Sequence, residues 1–406
     1  MKQLRVGDPI LFWLSILITG IGLFFAFDAG YARSIQNGYG PVPREFTAQI
    51  LPILIGIPVA IWIGSRGTET LKKRAKLIWW IAFLSLFLPM MPVIGLELNG
   101  AARWVKIWKL PMIQPAEFVK TAAILYLAAM LANRKAWPKV IKPARDVVDY
   151  LDRIAWPKLK RCWPGLFVLL AVFMIEQEPD LGTAAVLGAT ALLMCIVGGV
   201  SWRSLAVAGV LAGMGATVMV IQQPYRLERF KHHFARWTEE RQDDTGYQTV
   251  QSEIAQASGG ALGVGVGSGR AKHVMPAATT DFIMATIGEE LGIWGSCGII
   301  LILGGIVGRL VVLANQTKDR FRMLIFYGVG GWIGIQTVVN VVMANGVLPA
   351  IGIPMPFVST GGSSLLALWM AIGLAQSAAR PVSVTEEAYV DGRNRRRNRW
   401  PRLSRA

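Results

Sequence analysis

Long apolar segments constrain this chain more than any other feature of its sequence. A membrane-spanning helix needs roughly 17 to 25 predominantly apolar residues. Hydrophobic residues make up 53% of the chain and charged residues only 17%, a balance that excludes an ordinary soluble domain. A short apolar run covers residues 164–175, and the long runs cover residues 10–27, 47–64, 77–95, 115–132, 182–200, 204–222, 283–312, 323–345 and 359–379. We therefore predict an all-α polytopic membrane protein with about ten transmembrane helices.

The distribution of positive charge decides whether the short run is a span and which side each segment faces. With the short run included and an internal N-terminus, most of the 42 Lys and Arg residues lie on the cytoplasmic side, as the positive-inside rule requires. Without it, every later segment would carry the wrong charge bias. The prediction is a membrane domain over residues 1–380, with residues 223–282 as a large extracytoplasmic loop between helices 7 and 8. Both termini are then cytoplasmic.

The net charge of +17 lies in short segments between apolar runs. A nucleic-acid-binding protein would instead cluster its charge on one polar face, so we predict no nucleic-acid partner. Residues 381–406 are rich in Arg and predict a disordered cytoplasmic tail that contacts anionic membrane lipids. The cysteines are odd in number and scattered, which predicts neither a disulfide framework nor a metal site.

Charged residues inside or beside a span are energetically costly and therefore mark candidate functional positions. Glu117 and Lys120 lie three residues apart on one face of the fourth span. This spacing suits either a neutralised pair that holds helices together or a role in substrate binding. Arg103 and Lys106 precede that span in a predicted external loop, where they would either anchor the loop at the membrane surface or bind a pyrophosphate group.

The remaining candidates lie in the predicted external turns. Glu178 and Asp180 share a very short turn, in which Asp180 would either cap the next helix or act in the site. Asp281 closes the long external segment, where its position alone favours an N-cap. The glycine-rich stretch 259–269 does not follow a strand, which argues against a nucleotide site, but its amides would suit an anion nest.

Taken together, several motifs resemble the SEDS (shape, elongation, division and sporulation) family, over residues 95–380. The matching segments are Gln114-Pro115-Ala116-Glu117 with Lys120, 178–183, Gly246-Tyr247-Gln248 with Gln251-Ser252, Thr280-Asp281-Phe282, 288–292, Asn340, 346–349, 354–357 and Gly361-Gly362-Ser363-Ser364. The resemblance implies a ten-span fold in the bacterial inner membrane. It also implies a glycosyltransferase that polymerises lipid II into peptidoglycan, partnered by a class B penicillin-binding protein (a transpeptidase) and by divisome or elongasome proteins.

Within the family, Gln114-Pro115-Ala116-Glu117 and Tyr225-Arg226 are more similar to the division members, whereas residues 352–356 are more similar to the elongation members. Septal wall synthesis is therefore the expected role, with synthesis during elongation as the alternative. The chain departs from the family pattern at Thr279, where His is usual, and at Thr360, where Tyr is usual. Residues 275–277 also depart from the usual Leu-Pro-Glu.

The resemblance implies that Asp281 is the family's essential loop aspartate, and a carboxylate there would accept a proton from the attacking sugar hydroxyl. Arg103, Lys106 and Lys120 would surround the leaving pyrophosphate, with Glu117 holding Lys120. We expect no cofactor, with a divalent cation only as an aid to the pyrophosphate. The other matched polar residues are predicted to bind substrate: Glu178, Asp180, Gln248, Gln251, Ser363 and Ser364.

Two alternatives from other classes stay open at this point. A flippase that moves the lipid-linked precursor across the membrane would also carry charged residues within its spans. A non-catalytic scaffold that recruits a transpeptidase would be consistent with the departures near Asp281.

Overall fold

The chain is predominantly helical in its computed structural model, which describes residues 7–98, 101–106, 111–133, 146, 149, 156–222, 233–238, 246–275 and 277–381. Apart from residue 381, the predicted basic tail lies outside these ranges. The helices in the described ranges are α1 (Pro9–Gln36), α2 (Arg44–Gly64), α3 (Thr68–Ser85), α4 (Pro115–Ala132), α5 (Trp156–Gln177), α6 (Leu181–Val197), α7 (Trp202–Gln222), α8 (Tyr247–Gly259), α9 (Ala271–Val274), α10 (Ile283–Gln316), α11 (Arg320–Ala344) and α12 (Gly362–Ala379).

Each predicted apolar run overlaps a long helix of the structure. Helix α4 has the predicted bounds, and the short run 164–175 lies inside α5. Among the described residues, six helices are long and apolar enough to cross a membrane, namely α1, α2, α4, α10, α11 and α12. This finding confirms a polytopic, multi-pass membrane protein.

The third predicted span has the wrong bounds, and the all-α prediction is wrong in one detail. Helix α3 starts before the run 77–95 and ends at Ser85, ahead of Pro89 and Pro92, because proline lacks the amide that a helix interior requires. The rest of the run forms a short 3₁₀ helix (Leu88–Met90) and turns, and an antiparallel hairpin begins at its last residue. Its strands are β1 (Gly95–Leu98) and β2 (Ala101–Val105), with Gly95 opposite Val105.

Helix α10 is broken at Gly292, inside the predicted eighth span. Gly292 has φ +66°, a conformation that glycine adopts without the steric penalty of a side chain. A Cβ there would lie 2.5 Å from the carbonyl oxygen of Ala261. The residues before the break form a short, almost entirely buried helix that starts at Ile283, two residues after Asp281.

The glycine-rich segment 259–269 packs against the break in α10. Backbone amides in this segment donate hydrogen bonds to residues just before the break. Val264 N donates to the carbonyl oxygen of Glu289 at 2.9 Å. Arg270 N and Ala271 N each donate to the Glu289 carboxylate at 2.9 Å. Within the stretch 259–269, for which the anion nest was predicted, Gly269 N donates to Glu290 Oε1 at 3.2 Å, and Arg270 and Ala271 directly follow that stretch. Beside it, buried Lys272 bonds Glu290 Oε1 at 2.6 Å.

Helix α4 lies in the interior of the bundle, since nearly all of its residues from Pro115 to Leu131 are buried. This placement keeps Glu117 and Lys120 away from lipid. Helices α2 and α12 pack closely through small residues, a common feature of membrane helix pairs. A Cβ on Gly373 would lie 2.8 Å from the Cα of Ala60. A Cβ on Gly362 would lie 3.0 Å from Pro52 Cγ, so the start of α12, which carries Ser363 and Ser364, also packs against α2.

Candidate active site

The Glu117–Lys120 pair is the buried charged element of the site. Lys120 Nζ lies 2.9 Å from Glu117 Oε1, and both residues are 3% exposed. The ammonium also donates to Gln336 Oε1 at 3.4 Å and lies 4.8 Å from the centre of the Trp332 ring. The structure thus shows the ion pair that the spacing suggested, with a cation–π contact on one side.

The turn between α5 and α6 brings a pair of acidic residues, Glu178 and Asp180, to the start of α4. Asp180 Oδ1 accepts a bond from Thr183 N at 3.0 Å, which is the predicted N-cap of α6. Its Oδ2 accepts a bond from Gln114 Nε2 at 2.6 Å. Gln114 N in turn donates to Ser363 Oγ at 3.0 Å. Asp180 therefore caps a helix and also connects the starts of α4, α6 and α12.

Burial and like charge control the ionisation of this turn. Burial, together with the negative charge of Asp180, raises the pKa of Glu178 to about 8, and Arg103 partly opposes the shift. Burial also raises the pKa of Asp180, with the Glu117 charge contributing and with the Thr183 bond and Arg103 opposing. Among the described residues, neither carboxylate oxygen of Glu178 has a hydrogen-bond partner. Glu178 is therefore mostly protonated at neutral pH.

Asp281 and the Asp180 turn lie on either side of the loop 351–353. Asp281 is half-buried and lies one residue before Phe282, which holds the N-cap position that the sequence suggested for Asp281. A Cβ built on Gly352 would lie 3.5 Å from Asp281 Oδ2. A Cβ on Gly182, next to the Asp180 turn, would lie 2.7 Å from the carbonyl oxygen of Ile351. The loop 351–353 is thus flanked by Asp281 and by the Asp180 turn.

Two of the departures from the family pattern, Thr279 and Thr360, contact each other. Thr360 N and Oγ1 both donate to the carbonyl oxygen of Thr279, at 2.9 and 2.8 Å. These two departures therefore form a single contact with each other, in the segment that leads into Asp281.

Four other predicted residues, Lys106, Gln248, Gln251 and Ser364, are placed by the structure without a contact to any described residue that defines their role. Lys106 is exposed, and its backbone amide continues the hairpin by donating to Ile94 O. Gln248 and Gln251 are half-buried on α8, and Ser364 is buried at the start of α12. Their roles in substrate binding remain predictions. Within the described ranges, no group of three or more His, Cys, Asp or Glu side chains is placed to hold a metal ion.

Two residues that the sequence analysis did not assign to the site take part in it. Gln114 links Asp180 to Ser363, and Gln336 bonds Lys120, Trp332 and the carbonyl oxygen of Pro354. The sequence does contain a signal for Gln336, because a polar residue within an apolar span is energetically costly and requires a hydrogen-bond partner.

Comparison with known proteins gives a consistent result. The family model described as "Cell cycle protein", covering FtsW, RodA and SpoVE, matches residues 9–383. A relative from Dichelobacter nodosus, named probable peptidoglycan glycosyltransferase FtsW, is 35% identical over 375 residues, covering 90% of this chain and 87% of the relative. The protein of the same name from Allochromatium vinosum is 36% identical, covering 84% and 80%. Stage V sporulation protein E of Bacillus subtilis is 29% identical, covering 92% and 97%.

Solved structures agree on the fold. A chain of a peptidoglycan synthase complex that coordinates polymerization and crosslinking superposes with a TM-score of 0.69 at 26% identity, covering 92% of this chain and 97% of that one. RodA of Thermus thermophilus superposes with a TM-score of 0.63 at 24% identity, covering 93% and 98%. With the family model matching nearly its whole length, this chain belongs to the FtsW/RodA/SpoVE family.

Proposed function

We propose that this membrane protein is a peptidoglycan glycosyltransferase that polymerises lipid II into glycan strands for septal wall synthesis during cell division. The observation that carries the proposal is the placement of one half-buried carboxylate, Asp281, against the loop 351–353. The other side of this loop contacts the turn that carries the buried residues Glu178 and Asp180. Its relatives named probable peptidoglycan glycosyltransferase FtsW support the same activity.

The chemistry needs a base and a site for a leaving diphosphate. The 4-hydroxyl of one lipid-linked sugar attacks the anomeric carbon of another, and the bond from that carbon to the diphosphate breaks. Asp281 accepts the hydroxyl proton as the new glycosidic bond forms. Arg103 and Lys120 stabilise the negative charge that develops on the departing undecaprenyl diphosphate.

The ionisation states of the charged residues near Arg103 favour the binding of a diphosphate. Glu117 and Lys120 neutralise each other, and a raised pKa leaves Glu178 mostly uncharged at neutral pH. Asp180 is then the main negative charge near Arg103. Its carboxylate already accepts hydrogen bonds from Gln114 and Thr183. A phosphate group approaching Arg103 therefore meets less repulsion than three ionised carboxylates would impose.

The proposal includes a topology and partners. We propose ten spans in the bacterial inner membrane, cytoplasmic termini and an extracytoplasmic segment 223–282, because that arrangement satisfies the charge bias. A class B penicillin-binding protein is the proposed transpeptidase partner, since a similar fold occurs in a synthase complex that couples polymerization to crosslinking. Divisome proteins would then place the pair at the septum, and a divalent cation would serve only the diphosphate.

The direct test uses purified protein and fluorescent lipid II in detergent, with and without the transpeptidase. The expected result is a ladder of glycan chains that lysozyme digests. A parallel liposome assay measures dithionite quenching of labelled lipid II and reports translocation. Translocation without glycan would establish the flippase alternative, and the absence of both activities would establish the scaffold. Midcell fluorescence of a tagged protein is expected for the division role, and lateral foci would indicate elongation.

A labelling experiment tests the topology. In a variant lacking Cys162, Cys195 and Cys297, we expect Ser258→Cys to react with a membrane-impermeant maleimide in intact spheroplasts. Ser65→Cys should react only after permeabilisation. Both serines are exposed, and each hydroxyl donates to a carbonyl oxygen of its own turn, so they form a matched pair. The reversed pattern would put Asp281 on the wrong side of the membrane and refute the proposal.

A further inference from the structure

Three consecutive backbone carbonyls that end at Asp281 are each held by a donor from a distant part of the chain. Thr360 N and Oγ1 donate to Thr279 O, and Ser359 Oγ donates to Thr280 O. Asn340 Nδ2 donates to Asp281 O at 2.8 Å. These bonds fix the backbone of residues 279–281, which we call the base segment.

Asn340 has a central place among these donors. It is fully buried on α11, and its amide nitrogen also donates to the carbonyl oxygen of Ile353 at 2.7 Å. A primary amide has two N–H donors, so one side chain joins the base segment to the loop 351–353. Asp281 and its neighbouring Gly352 are thereby held in one unit.

The same helix connects this unit to Lys120. Gln336 lies one turn before Asn340, on the same face of α11. Its Nε2 donates to the carbonyl oxygen of Pro354 at 2.8 Å, and its Oε1 accepts bonds from Trp332 Nε1 at 2.6 Å and from Lys120 Nζ at 3.4 Å. One face of α11 therefore bonds two successive carbonyls, that of Ile353 in the loop and that of Pro354 directly after it. The first bond comes from the side chain that also bonds Asp281 O, and the second from the side chain that also bonds Lys120.

We propose that Asn340 is a positioning residue for the reaction, which holds Asp281 through its backbone carbonyl and fixes its separation from Lys120. The inference rests on the proposed function, because it takes Asp281 as the base. Its physical reason is geometric, since a misplacement of about 1 Å can slow a reaction about 10²-fold. Asn340 itself touches no reacting atom.

The test compares Asn340→Leu with a control on the same helix. Leucine has a similar volume and no donor. Thr337→Val removes a buried hydroxyl that, within the described part of the chain, donates to Ile333 O of its own helix. We expect Asn340→Leu to lower kcat about 10- to 100-fold with little change in KM, and Thr337→Val to leave both near wild type. Thr360→Val, which removes one donor to Thr279, should give a smaller loss of kcat and remains informative if Asn340→Leu does not fold.

Hydrogen–deuterium exchange supplies a readout that does not depend on activity. The amides of Thr280 and Phe282 are bonded to Ala277 O, so peptides over residues 277–285 should exchange faster in Asn340→Leu. Peptides from α8 should not change. Unchanged exchange in 277–285, or a wild-type kcat per folded molecule, would overturn the inference and leave the proposed function standing. A wild-type protein that makes no glycan would refute the proposed function, and the exchange result would still decide whether Asn340 positions the base segment.

Discussion

Replacing Asp281 with asparagine is expected to lower the kcat of glycan polymerisation by about 10²- to 10⁴-fold, the contribution typical of a positioned general base. Asparagine has nearly the same shape, and the bond from Asn340 reaches the backbone carbonyl, not the carboxylate. The variant should therefore fold and bind lipid II. The measurement is the initial rate of fluorescent glycan formation at saturating lipid II.

The same chemical change elsewhere provides the control. Asp319 caps α11 by accepting a bond from Phe321 N at 2.8 Å. Asparagine is also a good N-cap, so Asp319→Asn should polymerise lipid II at the wild-type rate. An Asp281→Asn protein that retained a rate within twofold of wild type would remove this carboxylate from the mechanism. Attention would then turn to Glu178 and Asp180.

The helices of this fold are largely predictable because the bilayer imposes them. A chain in lipid must satisfy its backbone bonds within each span, so long apolar runs become helices whatever they pack against. Helix α4 has the bounds that hydropathy alone suggested. The weak run 164–175, which the positive-inside rule favours as a span, also lies within a helix, α5, although α5 is not among the six described helices that are long and apolar enough to cross a membrane.

The errors arose where apolar sequence does not mean spanning helix. After Ser85, prolines end α3, and the apolar residues that follow form a turn and the β1–β2 hairpin. A hydropathy average over such a segment does not show that the helix ends within it. The break at Gly292 depends on contact with the distant segment 261–263, and a sequence window does not contain that contact.

The site divides in the same way between local and long-range information. The i,i+3 spacing was enough to bring Glu117 and Lys120 together, and the Asp180 cap followed from position in a short turn. The bond from Gln114 to Asp180 and the donors to the base segment join residues far apart in sequence. Only the tertiary structure shows that Thr279 and Thr360 are partners.

Replacing Lys120 with methionine is expected to destabilise the protein by about 3 to 5 kcal/mol, because it leaves the Glu117 carboxylate buried without its counter-charge. Among the described residues, Glu117 Oε2 already lacks a hydrogen-bond partner. The loss should appear as a lower thermal unfolding temperature in detergent. Arg309→Met removes another ion pair, with Asp8, but Arg309 is more exposed, so its effect on stability should be smaller and its polymerisation rate unchanged.

A double variant separates the structural role of the pair from its role in the site. Glu117→Gln with Lys120→Met removes both charges, and such neutral replacement of a buried pair is often tolerated or stabilising. We expect the unfolding temperature to return toward wild type. Polymerisation should stay low, because the ammonium that faces the developing diphosphate charge is still missing. If the double variant polymerised lipid II at the wild-type rate, Lys120 would be a structural partner of Glu117 alone, and Arg103 would be left as the cation of the diphosphate site.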